Sequence, residues 1–325
     1  VVAAVSIGGG RGQSATLSAL LGVADDISAI VTVFDSGGSS GALQREFGYL
    51  PFGDVRRCLV ALAGEDAQTQ KWASIMNHRF PLDSSVQGHT VGNILLTSLA
   101  ERCGNAPDAI EMLSSMLQLR GRVLPVAFSQ AELTALLADG TMIRGEANID
   151  RRATAAPSIR DIALSRDADA NPEAIARIRQ ADIVALGPGD LYTSVIPNLL
   201  TRGVSKALQE TKAKVCYICN IMTKYGETDD YKASDFAAAI LRYMGRTKLD
   251  YLIVNAQSAI PPASARKYKL ENAAPVEVDA PALKARASEI LIRDVVHVRE
   301  QGGVRHSVSK LRAALTEVVA SVNAS

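Results

Sequence analysis

Short apolar runs recur along this chain, and most of them end in a polar, glycine-rich loop. The runs Ala3–Ile7, Ile27–Val33, Asp182–Leu186, Lys214–Cys219, Tyr251–Asn255 and Val295–Val298 show no alternation of apolar and polar residues. Strands of that kind must be covered on both faces, which is the situation of a parallel sheet between helices. Helix-compatible stretches follow them, at Ser14–Leu21, Asn171–Ala181, Lys232–Met244 and Ser307–Val319. The pattern predicts the α/β class, as a Rossmann-like, doubly wound, mostly parallel sheet.

With 325 residues, 47% of them apolar, the chain can bury a large core. Residues 1–325 read as a single α/β domain. An elaboration at about 69–150 lies between the two halves of the sheet. It comprises a helical block, Thr69–Leu117, and a β-hairpin, Glu132–Leu137 with Thr141–Ile149, turning at Asp139-Gly140. Ile159–Asn171 and Ser258–Pro275 read as loops.

A net charge of +1 and an aromatic content of 5% argue against nucleic acid as a partner. No stretch is apolar enough to insert into a membrane. The four cysteines do not suggest a disulfide framework, and the expected location is the cytoplasm. Cys216 and Cys219 fall within one predicted strand and read as structural, with no second pair to complete a zinc site.

In open α/β sheets, ligands gather beyond the carboxyl ends of the strands. Four polar segments follow predicted strands. In Gly8–Ser14, glycines let backbone N–H groups approach an anion at a helix start, and Arg11 adds a charge; a plain tight turn is the alternative. In Thr32–Gly64, Asp35 precedes Gly37-Gly38-Ser39-Ser40-Gly41. There Asp54 is placed to cap a helix over Val55–Ala63. Arg56 and Arg57 in its first turn oppose the helix dipole, as a bound anion would permit. In Ala185–Leu200, Gly-Pro-Gly forces a turn before Tyr192, Thr193 and Ser194. Asp190 suits a ribose hydroxyl or a cation better than a phosphate. In Cys219–Phe236, Lys224 suits an anion and Asn220 a base or sugar edge. His89 is placed to cap a helix over Val91–Arg102.

The ordered segments "GGGRG", "DSGGSSG", "LPFGDVRRCLVALAG", "GHTVGNILL", "NPEAIARIRQADIVALGPGDLYTSVIPNLL", "CNIMTKYGETDDY" and "GGVRHSVSKL" resemble the YvcK-like proteins, or gluconeogenesis factors, of the CofD-like superfamily. The likeness runs from Val5 to Leu311. It implies a nucleotide diphosphate held among the loops. The nucleotide-binding residues would be Gly9, Gly10, Arg11, Gly12, Gly37, Gly38, Ser39, Ser40, Asp54, Arg56, Asn93, Gly187, Gly189, Asp190, Tyr192, Thr193, Ser194, Asn198, Asn220 and Arg305. In the YvcK-like branch the ligand is a UDP-sugar such as UDP-N-acetylglucosamine, bound by a regulator linked to cell-wall and carbon metabolism. In the CofD-like branch a phospholactyl-type group passes from a guanosine diphosphate donor to the deazaflavin Fo with Mg²⁺. Asp35 and Asp54 are then the catalytic candidates, and Asp35 is the metal candidate. Mg²⁺ enters only under that transferase reading; otherwise no cofactor is expected. The chain departs from the family pattern at Arg11, at Ser36 (usually Asp), at Arg57 (often Asn) and at Asp190 (usually Ser). Losing one carboxylate of a pair weakens a Mg²⁺ site. The expected partner is a nucleotide or nucleotide-sugar, with a homodimer as the candidate assembly and a protein-interaction hub as a weaker reading.

Overall fold

The computed structural model describes residues 1–152 and 157–323. Its strands are β1 (Ala3–Gly8), β2 (Asp26–Val31), β3 (Arg122–Pro125), β4 (Leu133–Leu137), β5 (Met142–Arg144), β6 (Ile159–Leu164), β7 (Ile183–Leu186), β8 (Lys214–Ile218), β9 (Leu249–Asn255), β10 (Ala287–Arg293), β11 (Val296–Val298) and β12 (Val304–His306). Seven of them form one sheet in the order β10-β9-β8-β7-β1-β2-β3, with every neighbouring pair parallel. The chain steps outward from β1 to β3. It then crosses back to β7 on the other side of β1 and steps outward again to β10. Connections therefore leave β1 and β7 in opposite directions, which opens a crevice between their carboxyl ends. The register sets Ile7 beside Leu186 and Gly8 beside Val31, so the three loops start level.

Helices Gly10–Leu20, Gly53–Ala61 and Val308–Asn323 make one covering set, joined through the first of them. Helices Pro172–Gln180, Val204–Glu210 and Ala233–Met244 make another. The central strands β1, β7 and β8 are buried along nearly their whole length, as their unbroken apolar runs require.

Several elements differ from expectation, each for a local reason. Val295–Val298 is a strand, but β11 pairs antiparallel with β12 in a separate two-stranded sheet. The seventh place is taken by β10, an edge strand whose Ser288, Glu289 and Arg293 are exposed. The short β3 lies inside the segment read as an elaboration, and Pro125 ends it. In the hairpin, β5 stops at Arg144 and Glu146–Asp150 turns helical. Part of the expected loop Ile159–Asn171 is β6, which pairs with β4. A register shift at Leu136/Leu137 breaks the alternation that would have revealed it. Ser258–Pro275 contains a helix, Pro262–Leu270, whose opening prolines suit a first turn. Gly37–Gly41 begins a helix, Gly38–Phe47, with Ser39 and Ser40 buried. All four cysteines are free, and burial pushes the Cys216 and Cys219 thiols up.

Candidate functional site

β1 ends at Gly8, and the helix Gly10–Leu20 starts two residues later. The cap residue of that helix, Gly9, has no side chain to offer and no acid stands in its own first turn, but the Asp54 carboxylate takes the Gly10 N–H. The other N–H groups of the first turn and the positive dipole end face the crevice. Gly10 has φ +68°, which favours glycine. A Cβ on Gly12 would lie 2.1 Å from the Pro188 carbonyl oxygen, so the β1 and β7 loops meet backbone to backbone. Thr16 Oγ1 donates to Gly187 O at 3.0 Å and Asn198 Nδ2 to Gly8 O at 3.1 Å. From below, buried Gln13 donates to Ser6 O and Ile30 O, tying β1 to β2. The motifs did not single out Gln13; a polar residue at a helix position facing the sheet was its only signal.

Over these loops lies a cleft of about 650 Å³. One wall is cationic, with Arg11, Arg57, Arg299 and Arg305. Arg57 pairs with Asp54. Among the described residues, no hydrogen bond or ion pair engages the side chains of Arg11, Arg299 or Arg305. Burial, then repulsion from Arg305, Arg57 and Arg299, lowers the pKa of Arg11. Burial, then Arg299, does the same to Arg305. Such mutual repulsion is relieved by a bound anion. Neutral His306 lines the same wall beside Cys219 O at 3.2 Å, its pKa pulled down to about 4 by burial.

Carboxylates line the same cleft, at Asp35, Asp54, Glu146, Asp150 and Asp190. Asp54 does not cap its helix; Phe52 is the cap residue, and Asp54 sits in the first turn. Its carboxylate accepts from the Gly10 N–H and from Arg57, although burial raises its pKa. Burial, then the Asp35 carboxylate, pushes Glu146 up to about 8, so Glu146 holds a proton and shares it with Asp35 at neutral pH. A group that keeps a proton in the folded state but loses it near pH 4.5 when unfolded makes stability fall as pH rises from 4.5 to about 8. Glu146→Gln removes that contribution. Urea denaturation should show the variant gaining on the order of 2 kcal/mol on wild type between about pH 5 and about pH 9, allowing for partial solvent access. Parallel profiles would contradict the shared proton.

The anions that Lys224 meets in this structure are protein carboxylates. Its Nζ contacts Asp150 Oδ1, Asp190 Oδ2 (2.8 Å) and Glu227 Oε1 (2.7 Å). Burial opposes that ammonium charge, but Glu227 and Asp190 outweigh it and raise its pKa. The three carboxylates lie close enough together to hold a metal ion, and the ammonium sits among them. Asp190, anomalous beside a phosphate loop, is thus answered by Lys224.

Of the expected site residues, Gly9, Gly10, Arg11, Gly12, Asp35, Asp54, Gly189, Asp190, Thr193, Ser194, Asn220 and Arg305 line this cleft. Gly37, Gly38, Ser39, Ser40, Arg56 and Asn93 line a side pocket of about 210 Å³ that shares Asp35 and Glu146 with it. There Arg56 Nε donates to Asn93 Oδ1 at 3.0 Å, Asn93 Nδ2 to Ser39 Oγ at 3.0 Å, and Ser39 Oγ meets His89 Nδ1. His89 therefore braces the side pocket, while Thr90 caps the helix Val91–Cys103. Tyr192 is buried against Tyr231, and Asn198 braces the loops from beneath. Gly187 carries the turn, with φ +75°. Thr32 Oγ1 and Asn220 Oδ1, both on cleft residues, are buried without a partner among the described residues. Buried polar atoms are rarely left so, and such atoms suit ligand contacts. A cleft of about 710 Å³ lies along β3 and the amino end of β2, away from the loops that line the first cleft.

Comparison with known proteins shows the family. The family described as 2-phospho-L-lactate transferase CofD matches residues 4–296. The gluconeogenesis factor of Bacillus subtilis (strain 168) is 37% identical over 313 residues, covering 96% of each chain. That of Halalkalibacterium halodurans is 38% identical over 314 residues, covering 96% of this chain and 95% of the relative. A crystal structure of a Bacillus halodurans protein, described as a member of the upf0052 family, superposes with a TM-score of 0.89 at 36% identity, covering 97% of this chain and 99% of that one. The match to the family over most of the chain, and to these relatives over nearly all of it, shows that the chain belongs to the CofD-like family, among the YvcK-like gluconeogenesis factors.

Proposed function

We propose that this chain is a nucleotide-diphosphate-sugar-binding regulatory protein of the YvcK type, acting in the cytoplasm in cell-wall or carbon metabolism. One observation carries the diphosphate: Arg11, Arg299 and Arg305, without hydrogen-bond or ion-pair partners among the described residues, line the same cleft as a glycine-rich helix start at the sheet's switch point. Guanidinium groups and free backbone N–H groups are the donors that phosphate oxygens take. A volume of about 650 Å³ is in the range of small-molecule sites. The choice of a UDP-sugar such as UDP-N-acetylglucosamine rests on the resemblance to YvcK-like proteins, not on a contact. No helix among the described residues is long and apolar enough to cross a membrane. Calorimetry with UDP-N-acetylglucosamine, UDP-glucose, GDP and NAD tests the reading. We expect the UDP-sugars to bind at least tenfold more tightly than GDP or NAD, about 1.4 kcal/mol. An absence of heat and of thermal stabilisation with every uridine nucleotide would end it.

The proton-sharing pair Asp35–Glu146 favours a second reading. A carboxylate able to take a proton, at the mouth of a side pocket, suits a CofD-like transferase moving a phospholactyl-type group to the deazaflavin Fo. Phosphoryl transfer needs positioning and charge stabilisation more than a protein nucleophile. The donor set does not fit the Mg²⁺ expected for that reaction. Lys224 fills the three-carboxylate cluster, and Ser36 stands beside Asp35 where the family pattern has a second Asp. Mass spectrometry of Fo incubated with a guanylylated donor, with and without Mg²⁺, separates the two readings.

A further inference from the structure

A second cleft, of about 640 Å³, lies behind Arg11 and Arg57, whose side chains form part of its wall as well. Helices Gly10–Leu20, Gly53–Ala61 and Ala67–Asn77 border it, with the start of Val308–Asn323. Six arginines line it, at positions Arg11, Arg56, Arg57, Arg79, Arg120 and Arg312, against a single carboxylate, Glu65. Glu65 pairs with Arg120, and Asp54 with Arg57. The other four have no carboxylate partner among the described residues. Arg56 is held by the amide oxygens of Asn93 and Asn77, Arg79 by Gly88 O, and Arg312 by Ser18 O at 3.1 Å. Neutral oxygens orient a guanidinium but leave its charge in place.

Arg56 makes the excess costly, because it is only 4% exposed. Burial, then Arg57 and Arg79, pulls its pKa down to about 10. A buried charge normally has a counter-charge. A seam between helices needs only apolar or mixed contacts, and this one concentrates one sign. We infer that the second cleft is an anion site for a small phosphorylated metabolite. Guanidinium groups match phosphate oxygens in pairs, and the hydroxyls of Ser14, Ser18 and Thr90 supply further donors. No aromatic ring lines the cleft, which argues against a stacked nucleobase and a nucleic-acid partner. The inference stands on this cleft alone and does not need a nucleotide in the first.

The test is equilibrium dialysis of the full chain with radiolabelled inorganic pyrophosphate. Arg79 and Arg312 line the second cleft and not the first, Arg79 also bordering the side pocket, and Arg305 lines the first and not the second. Wild type should bind two equivalents. Arg79→Gln combined with Arg312→Gln should weaken one of them at least about tenfold and spare the other, the loss expected for charge-assisted bonds. Arg305→Gln should do the converse. Binding by the double variant equal to wild type overturns the inference. Loss in the double variant with no effect of Arg305→Gln upholds it and instead counts against the diphosphate reading of the first cleft. Should the double variant fail to melt cooperatively, wild type is labelled with phenylglyoxal. Protection of Arg79 and Arg312 by pyrophosphate upholds the inference, and unchanged labelling of both overturns it.

Discussion

Gly12→Ala is expected to destabilise the fold by about 3 kcal/mol and to abolish ligand binding in the first cleft. The new Cβ would sit 2.1 Å from the Pro188 carbonyl oxygen and 2.6 Å from its carbon. Both are backbone atoms of the loop after β7, so no side chain can swing aside. The β1 and β7 loops would be pushed apart, and with them the Thr16–Gly187 and Asn198–Gly8 bonds that fix the helix start. Gly8→Ala is the control. Its Cβ meets nothing nearer than Gln13 Cβ at 3.6 Å, an ordinary contact, so its cost should stay below about 1 kcal/mol. Urea denaturation reads both; equal stabilities for the two variants would mean that the loops do not abut.

Lys224→Met carries the second large effect, a loss of about 3 kcal/mol in urea denaturation at neutral pH. It strips the shared counter-charge from Asp150, Asp190 and Glu227. The Glu227 side chain is 1% exposed and has nowhere to find water. Asp150 and Asp190 are partly solvated, which keeps the figure at the lower end of the range for broken buried pairs. Lys224→Met combined with Glu227→Gln should recover roughly half of the loss, about 1.5 kcal/mol, because the most buried charge is gone. Thr193 Oγ1, which donates to Glu227 Oε1 at 3.2 Å, keeps an acceptor in glutamine. Independent, additive effects of the two substitutions would refute the shared ion cluster.

The inner strands were readable because burial on both faces leaves an uninterrupted apolar run, as in Ile183–Leu186. Edges were not. β10 carries charges toward solvent, β3 is four residues long, and β6 loses its period at a bulge. The cleft loops were legible from glycines at strand ends, since close backbone approach leaves no other residue workable at Gly12. What chain order concealed was pairing across distance. Nothing near Asp190 announces Lys224 as its partner, and nothing near Asp35 announces Glu146. Asp54 and His89 looked like helix caps because they stand beside helix starts. In the fold each bonds instead to the first turn of another helix, Asp54 to Gly10 and His89 to Ser39. Arg299, on the turn between β11 and β12, escaped notice because that hairpin was not foreseen.

Arg11 stands in the first turn of the helix Gly10–Leu20, with no hydrogen-bond or ion-pair partner among the described residues and with Arg305, Arg57 and Arg299 near it, an arrangement that a bound anion favours. Calorimetric titration of UDP-N-acetylglucosamine into wild type and Arg11→Ala compares the two affinities. A diphosphate held by Arg11 gives a loss of about 1–3 kcal/mol, or roughly 5- to 150-fold in Kd, with the melting temperature of the free protein unchanged or raised. Equal affinities in the two proteins would mean that Arg11 does not hold the phosphate and that the cationic wall is not the diphosphate site.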